Sequence, residues 1–351
     1  MTEQERYEQI DLPFYRTQIL PILPPAVLDF HVHTWRREHW KEITWETNEA
    51  GAQYMVTEEQ YSVEELRADM RRLFPETDYQ AVCFGMPHPT IDLPLTNAAC
   101  AEARRYPELY PLLIAGRDLL PREELERTIR EGGFFGYKVF LNWLGDNYGD
   151  IALEDMLGPV EMDVANELGL VIMWHVPRSG RLADPVVRDG VVSFAKQYPN
   201  ARIVLAHCGR CYLPDEMQAA IGPIVDLENV YLDTTMVMDP TVLEIVFDHI
   251  DSSRVVYGTD MPIANMRGRR VYVMDHWVDV VLEGYPPSAY RLASNDIHAT
   301  FMVYEIILAI RRAAERTGLT REQLHGIFYE NGMGLLRRVM NGAQMQQRAG
   351  V

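Results

Sequence analysis

Residues 27–33 read Val-Leu-Asp-Phe-His-Val-His, a short apolar run that ends in two histidines separated by one residue. In an extended strand the side chains alternate between faces, so His31 and His33 point the same way. Two neutral imidazoles side by side can chelate one divalent metal ion. A single His-x-His pair is also compatible with two hydrogen-bonded histidines, so the rest of the chain must decide between the two interpretations.

Seven further apolar segments follow, and each is followed by a segment with helical character. The predicted strands are 27–33, 79–86, 109–115, 135–140, 170–175, 202–207, 230–235 and 254–260. The predicted helices are 63–74, 95–105, 121–131, 158–168, 184–197, 214–222, 240–250, 270–283, 297–316 and 321–340. Ser62 and Glu65 give the first helix a capping box. Strands that alternate with helices eight times predict an α/β fold, a closed (β/α)8 TIM barrel with extra C-terminal helices.

We expect a single domain with two terminal segments and one long connection. Residues 1–26 are a lead-in, the barrel covers 27–340, and the polar tail 341–351 is expected to be disordered. The connection 34–62 lacks clear periodicity and carries three tryptophans. Long loops in compact domains are usually functional. We therefore expect this one to fold over the carboxyl-end mouth of the barrel and to favour an aromatic or otherwise flat substrate.

The composition excludes several classes of partner. The 351 residues include 51 acidic and 33 basic side chains, a net charge of −18. This balance, without Lys/Arg clusters, argues against nucleic acid. No apolar stretch reaches about 18 residues, and the polar N-terminus indicates no signal peptide. The four cysteines do not suggest a disulfide framework. We expect a cytoplasmic protein that acts on a small-molecule substrate and has no nucleic-acid or membrane partner. We also expect it to form a homo-oligomer, most simply a dimer.

Six residues suited to metal or acid–base chemistry lie at or near the carboxyl ends of predicted strands. They are His31, His33, Lys138, His175, His207 and Asp260. Barrels of this type carry their chemistry at that end. Any one of the six is compatible with a buried, hydrogen-bonded polar residue, but chance would scatter them over both barrel ends, helices and loops. The set therefore predicts a metal site.

Three motifs resemble the amidohydrolase superfamily, and within it the amidohydrolase-related branch that includes aminocarboxymuconate-semialdehyde decarboxylase-like enzymes. They are Asp29-Phe-His-Val-His33, Leu205-Ala-His-Cys-Gly209 and Tyr257-Gly-Thr-Asp-Met-Pro262. Phe328-Tyr-Glu-Asn331 is similar to the Asn-containing end of the family, although Gly332-Met-Gly departs from the common continuation. The resemblance covers nearly the whole chain.

This resemblance implies a ligand set. His31, His33, His175 and Asp260 would bind one divalent ion, and His207 would stand next to the metal-bound water. Zinc is the expected metal for three histidines and one aspartate with an open position, and manganese is the alternative. Asp260 and His207 are the candidate acid–base residues.

Four further residues are candidates for substrate binding. Lys138 either lines a single-metal pocket as a cation for a substrate carboxylate or is carbamylated and bridges two metals, as in binuclear members of the superfamily. Arg178 and Arg210, just beyond the fifth and sixth strands, either bind an anionic substrate as bidentate donors or face solvent. His88, between two prolines beyond the second strand, either lines the pocket or is exposed.

Cys208-Gly-Arg-Cys211 directly follows His207. The C-x-x-C spacing alone suggests redox or zinc chemistry, but a second such pair is missing and the context is a barrel, which favours a packing role.

Three functions remain open. The site suits a metal-dependent hydrolase that cleaves an amide, ester or lactone bond of a small carboxylated or aromatic substrate. The alternative is a nonoxidative metal-dependent decarboxylase of an aromatic or unsaturated acid. A non-catalytic, ligand-binding barrel is disfavoured because a full ligand set is present.

Overall fold

The computed structural model describes residues 2–41, 60–86, 91–140, 149–274, 276–282, 290–291 and 298–349. Eight barrel strands occur in chain order, each near a predicted position. They are β1 (Ala26–His33), β2 (Asp78–Phe84), β3 in two parts (Leu109–Pro111 and Leu113–Ile114), β4 (Gly136–Val139), β5 (Val171–Trp174), β6 (Arg202–Leu205), β7 (Val230–Asp233) and β8 (Val255–Val256). Each strand pairs in parallel with the next, and β3 pairs with β2 through its first part and with β4 through its second.

The barrel closes between its first strand and the segment that follows β8. The backbone N–H of Phe30 donates to the carbonyl of Tyr257 at 2.8 Å, and the N–H of His33 donates to Met261 at 2.9 Å. In the opposite direction, the N–H of Asp260 donates to the carbonyl of His31 at 2.9 Å. The predicted (β/α)8 barrel is therefore confirmed, and its closure places His31, His33 and Asp260 side by side.

The strands are apolar because helices cover their outer faces. Every residue of Val171–Trp174 is buried, as is typical of a parallel sheet covered on both sides. The covering helices are α1 (Val63–Leu73), α2 (Leu93–Glu102), α3 (Arg122–Gly132), α4 (Pro159–Leu168), α5 (Pro185–Gln197), α6 (Pro214–Ala220), α7 (Pro240–His249) and α8 (Met302–Thr317). The predicted capping box of α1 is present: the Ser62 hydroxyl accepts from the N–H of Glu65 at 3.2 Å, and the Glu65 carboxylate accepts from the N–H of Ser62 at 2.7 Å.

The segment after β8 contradicts one prediction. Residues 270–283 were expected to form a helix, but β9 (Gly268–Val273) and β10 (His276–Val281) form an antiparallel hairpin, which the short β11 (Tyr290–Arg291) extends. Arg270 and Asp279 are direct cross-strand partners, with Nε–Oδ1 and Nη2–Oδ2 distances of 2.8 and 3.0 Å. This buried ion pair joins residues nine apart, which a helix would not place together.

The first and the last described segments of the chain are helical. Residues 3–19 form a helical segment of alternating α and π turns. Its Asp11 is fully buried, accepts from Nη2 of Arg267 at 2.6 Å and from Oγ1 of Thr300 at 2.9 Å, and so anchors the lead-in beside the hairpin. At the other end, α9 (Arg321–His325) and α10 (Asn331–Ala349) follow α8. Helix α10 extends to Ala349, and the expected disorder of the polar tail 341–351 stays a prediction.

The two ends of the long connection 34–62 lie together. Trp35 and Tyr61 exchange backbone hydrogen bonds of 2.8 and 2.9 Å, and the N–H of Thr34 donates to the carbonyl of Phe84 at the end of β2. The connection therefore leaves and returns at the carboxyl end of the barrel. Residues 42–59 lie outside the described residues, so the expected cover over the mouth stays a prediction. Among the helices that the structure describes, none is long and apolar enough to cross a membrane.

Candidate metal centre

The two histidines of β1 share one face, as their spacing predicts. Nδ1 of His31 lies 2.8 Å from Oδ2 of Asp233, at the end of β7. Because a carboxylate accepts, Nδ1 carries the proton and Nε2 keeps its lone pair. Nδ1 of His33 lies 3.3 Å from the carbonyl of Gly85, which can accept from it. Both rings turn Nε2 toward Asp260, and burial lowers the pKa of both imidazoles.

The carboxylate of Asp260 lies next to both of these nitrogen atoms. Its Oδ1 lies 3.4 Å from Nε2 of His31 and 3.2 Å from Nε2 of His33. Burial raises its pKa, but the hydrogen bond from His33 and the potential of the surrounding imidazoles outweigh burial and hold the pKa well below its usual range. Asp260 is therefore ionised, and its backbone adopts a positive φ of 74° that aims the side chain at the histidines.

His207 lies at the carboxyl end of β6 and completes a three-residue cluster. Atoms of His31, His207 and Asp260 that could bind a metal all lie within 4.8 Å of one another. Nδ1 of His207 lies 3.3 Å from the carbonyl of Thr235, so Nε2 is again the nitrogen with the lone pair. Burial lowers the pKa of His207 to about 3, which keeps the ring neutral at pH 7. The predicted neighbour of the metal thus also has the position of a ligand.

His175, at the end of β5, reaches the same cluster from the other side. Its ring lies 5.1 Å from that of His207 and stacks on Phe140 at 4.5 Å. Its Nδ1 is buried, and no residue that the structure describes forms a hydrogen bond with it. An imidazole nitrogen that has no described partner and lies beside His207 is suited to metal binding.

The protonation of His33 gives a second indication of a cation. A neutral imidazole has one proton, yet its two nitrogens face two acceptors, Gly85 O and Asp260 Oδ1. With the proton on Nδ1, a nitrogen lone pair and an ionised carboxylate face each other at 3.2 Å. Nε2 of His31 faces the same carboxylate at 3.4 Å and also lies 3.0 Å from Nζ of Lys138, which can donate to it. A divalent cation at these atoms would convert the repulsion into coordination, so the donor set fits the predicted metal.

Lys138 lies inside the cluster. Its Nζ is 3.0 Å from Nε2 of His31 and 4.6 and 5.2 Å from the ring centres of Phe84 and Phe140. The side chain is fully buried, and burial lowers its pKa to about 7 despite the nearby carboxylates. The structure brings this residue to the site as predicted. With this pKa, the unmodified amine is only partly protonated at neutral pH.

The other candidates for substrate binding, Arg210, Arg178 and His88, differ in their contacts and in whether the structure describes them. Arg210 donates through Nη1 to the carbonyls of Val176 and Arg178 at 2.9 and 3.3 Å, and its charge contributes to the low pKa of His175. Arg178 instead forms an ion pair with Asp184, with Nε 3.0 Å from Oδ2. Its role in substrate binding stays a prediction, since the structure gives it another partner. His88 lies outside the described residues.

The two cysteines beyond β6 are buried free thiols. Cys208 donates to the carbonyl of Asp233 at 3.2 Å, and burial raises the pKa of both Cys208 and Cys211. A raised pKa disfavours the reactive thiolate. These contacts support the packing role that we expected.

Sequence reasoning missed two carboxylates. Asp233 accepts from His31 through Oδ2 and from the backbone N–H of His207 through Oδ1 at 2.6 Å. Asp29 accepts from the backbone N–H groups of His31 and Thr259, both at 3.0 Å, and so joins β1 to the chain after β8. Their positions in the sequence could have indicated these roles. Asp233 lies at the end of the seventh strand, and Asp29 precedes His31 by two residues.

Fold and site together define a (β/α)8 barrel with a histidine–aspartate centre at the carboxyl ends of its strands. A sequence profile described as amidohydrolase matches residues 28–338, and the chain belongs to this family. No curated protein matches the sequence.

Several solved structures share the fold at low sequence identity. An amidohydrolase from Burkholderia multivorans is 14% identical, with a TM-score of 0.58 over 89% of this chain and 99% of that one. A 4-oxalomesaconate hydratase from Rhodopseudomonas palustris is 16% identical, with a TM-score of 0.54 over 93% and 100%. A dihydroxybenzoic acid decarboxylase from Polaromonas sp., with bound manganese and 2-nitroresorcinol, is 16% identical, with a TM-score of 0.54 over 90% and 97%.

Proposed function

We propose that this chain is a metal-dependent hydrolase that cleaves an amide, ester or lactone bond of a small carboxylated or aromatic substrate. His31, His33, His175 and Asp260 would hold one divalent ion, zinc by preference and manganese as the alternative. When bound, such an ion would act as a Lewis acid toward the substrate and would lower the pKa of a water molecule.

One observation carries this proposal. Nε2 of His31 and Nε2 of His33 both lie beside Oδ1 of Asp260, at 3.4 and 3.2 Å, and donor atoms of His31, His207 and Asp260 all lie within 4.8 Å of one another. The hydrogen bond of Nδ1 with Asp233 leaves Nε2 of His31 as an acceptor, and Nδ1 of His33 faces the carbonyl of Gly85. Imidazole nitrogens and a carboxylate that converge in one buried site form a donor set that suits a divalent cation.

The remaining groups have roles that follow from their positions. His207 is neutral, and its Nε2 is available to take a proton from an attacking water and to return it to the leaving group. Asp260 can accept a proton through the oxygen that does not face the histidines. Lys138 and Arg210 bring positive charge to the mouth, where they would orient a substrate carboxylate.

A nonoxidative decarboxylase is the second candidate. The structural neighbours include 2,6-dihydroxybenzoate and 5-carboxyvanillate decarboxylases, which supports trying aromatic acids as substrates. The same Lys138 and Arg210 would then hold the carboxylate that is lost. The contact of Lys138 with His31 supports one metal over a pair bridged by carbamylated Lys138.

The test combines metal analysis with a substrate screen. Purified protein should contain about one divalent ion per chain, and His175→Ala should lose the metal and the activity together. His249→Ala is the matched control, because His249 is an exposed histidine on α7. Esters, lactones and amides are screened for acid release, and aromatic acids for carbon dioxide release. Protein that holds no metal after reconstitution with zinc or manganese would refute the proposal.

A further inference from the structure

Two phenylalanines lie beside histidines of the candidate metal centre on neighbouring strands. Phe84, at the end of β2, is the register partner of His33 on β1, and the two ring centres are 4.6 Å apart. Phe140 directly follows β4 and His175 directly follows β5, two strands that pair in register up to these residues, and their ring centres are 4.5 Å apart. Neighbouring strands lie about 4.8 Å apart, so the sheet places each phenylalanine against a histidine.

The two ring pairs differ in geometry. The planes of Phe84 and His33 make an angle of 83°, whereas those of Phe140 and His175 make an angle of 12° and are stacked. A parallel neighbouring ring limits the rotation of an imidazole about its Cβ–Cγ bond, because a turned ring would collide with the face beside it. Phe140 therefore fixes the plane of His175.

His175 also differs from the other histidines of the centre in its hydrogen bonding. Histidines that bind a metal are usually oriented by a hydrogen bond from the second ring nitrogen. Nδ1 of each of the other three lies beside an oxygen atom, at 2.8, 3.3 and 3.3 Å: His31 with Asp233, His33 with Gly85 and His207 with Thr235. Nδ1 of His175 is buried and forms no hydrogen bond with any residue that the structure describes.

We propose that Phe140 is a positioning residue of the metal centre: it holds the ring of His175 by stacking, in the place of the hydrogen bond that holds the other three histidines. The inference rests on the proposed function, in which His175 is a metal ligand. Without the ring at position 140, the imidazole turns more freely and has to be ordered when a metal binds, which lowers the metal affinity. His31 and His33 keep their hydrogen bonds when the ring of Phe84 is lost, so their orientation depends less on that ring.

The test compares zinc affinity with folding stability in matched variants. Phe140→Leu should lower the zinc affinity about three- to tenfold, the range of one aromatic contact, as measured against a competing chelator. Phe140→Tyr keeps the stacked ring and should stay within about twofold of the wild type. Phe84→Leu is the matched control. Because Phe84 is fully buried and Phe140 is 9% exposed, Phe84→Leu should cause the larger drop in the melting temperature of the metal-free protein but the smaller loss of zinc affinity.

Two results of these titrations would overturn the proposal. If both rings had a purely structural role, Phe84→Leu would show the larger loss in both measurements. If stacking did not matter, the zinc affinity of Phe140→Tyr would be as low as that of Phe140→Leu.

NMR of the metal-free protein gives an independent readout. The imidazole protons of His175, assigned by their absence in His175→Asn, should lie upfield in the wild type because of the ring current of Phe140. They should move downfield in Phe140→Leu, and unchanged chemical shifts would contradict the proposal. A wild-type protein that binds no zinc would refute the proposed function, whereas these chemical shifts test the stacking of Phe140 on His175 without a metal.

Discussion

The carboxylate of Asp233 accepts a hydrogen bond of 2.8 Å from Nδ1 of His31, so a residue on the seventh strand fixes the ring of a residue on the first. Its other oxygen accepts from the backbone N–H of His207. Asp233→Asn should therefore lower metal affinity about 10- to 100-fold, the usual effect of losing such a supporting carboxylate.

The measurement for Asp233→Asn is a titration against a competing chelator. Asp251→Asn serves as the control, because Asp251 also accepts from a backbone N–H, at Ser253, and is exposed. Unchanged metal affinity in Asp233→Asn would remove Asp233 from the support of the site.

His207→Asn separates proton transfer from metal binding. If His207 is not a ligand, the variant should retain metal while kcat falls about 10²- to 10⁴-fold, the scale of a positioned acid or base. The loss should fall mainly on kcat, since the proton transfer matters most in the transition state.

Metal stoichiometry and kcat are measured on the same preparation of His207→Asn. Loss of metal would place His207 among the ligands and favour a binuclear site bridged by modified Lys138. Full activity would remove His207 from the mechanism.

The buried ion pair between Asp11 and Arg267 should be a large contributor to stability. Asp11→Ala leaves the guanidinium of Arg267, 8% exposed, without its main partner. Breaking a buried pair from one side destabilises by about 3–5 kcal/mol. Urea unfolding should show this decrease in the free energy of unfolding. Glu3→Ala should lower the free energy of unfolding by less than about 1 kcal/mol, because Glu3 is exposed, although it forms an ion pair of 2.9 Å with the same arginine. Equal losses in the two variants would contradict the assignment.

His39 should make stability depend on pH. The ring is 4% exposed, its Nδ1 accepts from the backbone N–H of Arg36 at 3.2 Å, and burial lowers its pKa. Below pH 6.5 the unfolded chain binds more protons here than the folded chain, so this part of the stability is present above pH 6.5 and is lost as the pH falls.

His39→Asn keeps an acceptor for Arg36 but does not titrate. Its melting temperature should fall less than that of the wild type between pH 7 and pH 5.5. Parallel curves for the two proteins would show that His39 does not contribute.

The parts of the fold that local patterns determine could be predicted. An apolar run such as 170–175 predicts a strand, because a strand that is buried on both faces needs apolar residues throughout. Ser62 and Glu65 predict the start of a helix, because the capping contacts join residues only three apart. His31, His33 and Asp260 were found because their strands end at one rim of the barrel. Such signals need only a short window of sequence.

Features that depend on distant partners could not be predicted in this way. Asp233 acquires its role from His31, 202 residues away, and only barrel closure brings them together. The hairpin is stabilised by the pairing of Arg270 with Asp279 and by stacking on Tyr212, none of which appears in local periodicity. Arg178 follows a strand, as a binding residue would, but its positive φ of 66° accompanies an ion pair with Asp184.

The closure of the barrel has a consequence for synthesis on the ribosome. Backbone bonds join Phe30 to Tyr257 and His33 to Met261, so one edge of β1 gains its neighbour only after most of the chain has emerged. Contacts of such high sequence separation form slowly, and an unpaired strand edge invites association with other chains. A nascent chain that ends before residue 255 lacks the partner of this edge of β1, so its backbone N–H and C=O groups stay open to pairing with another chain.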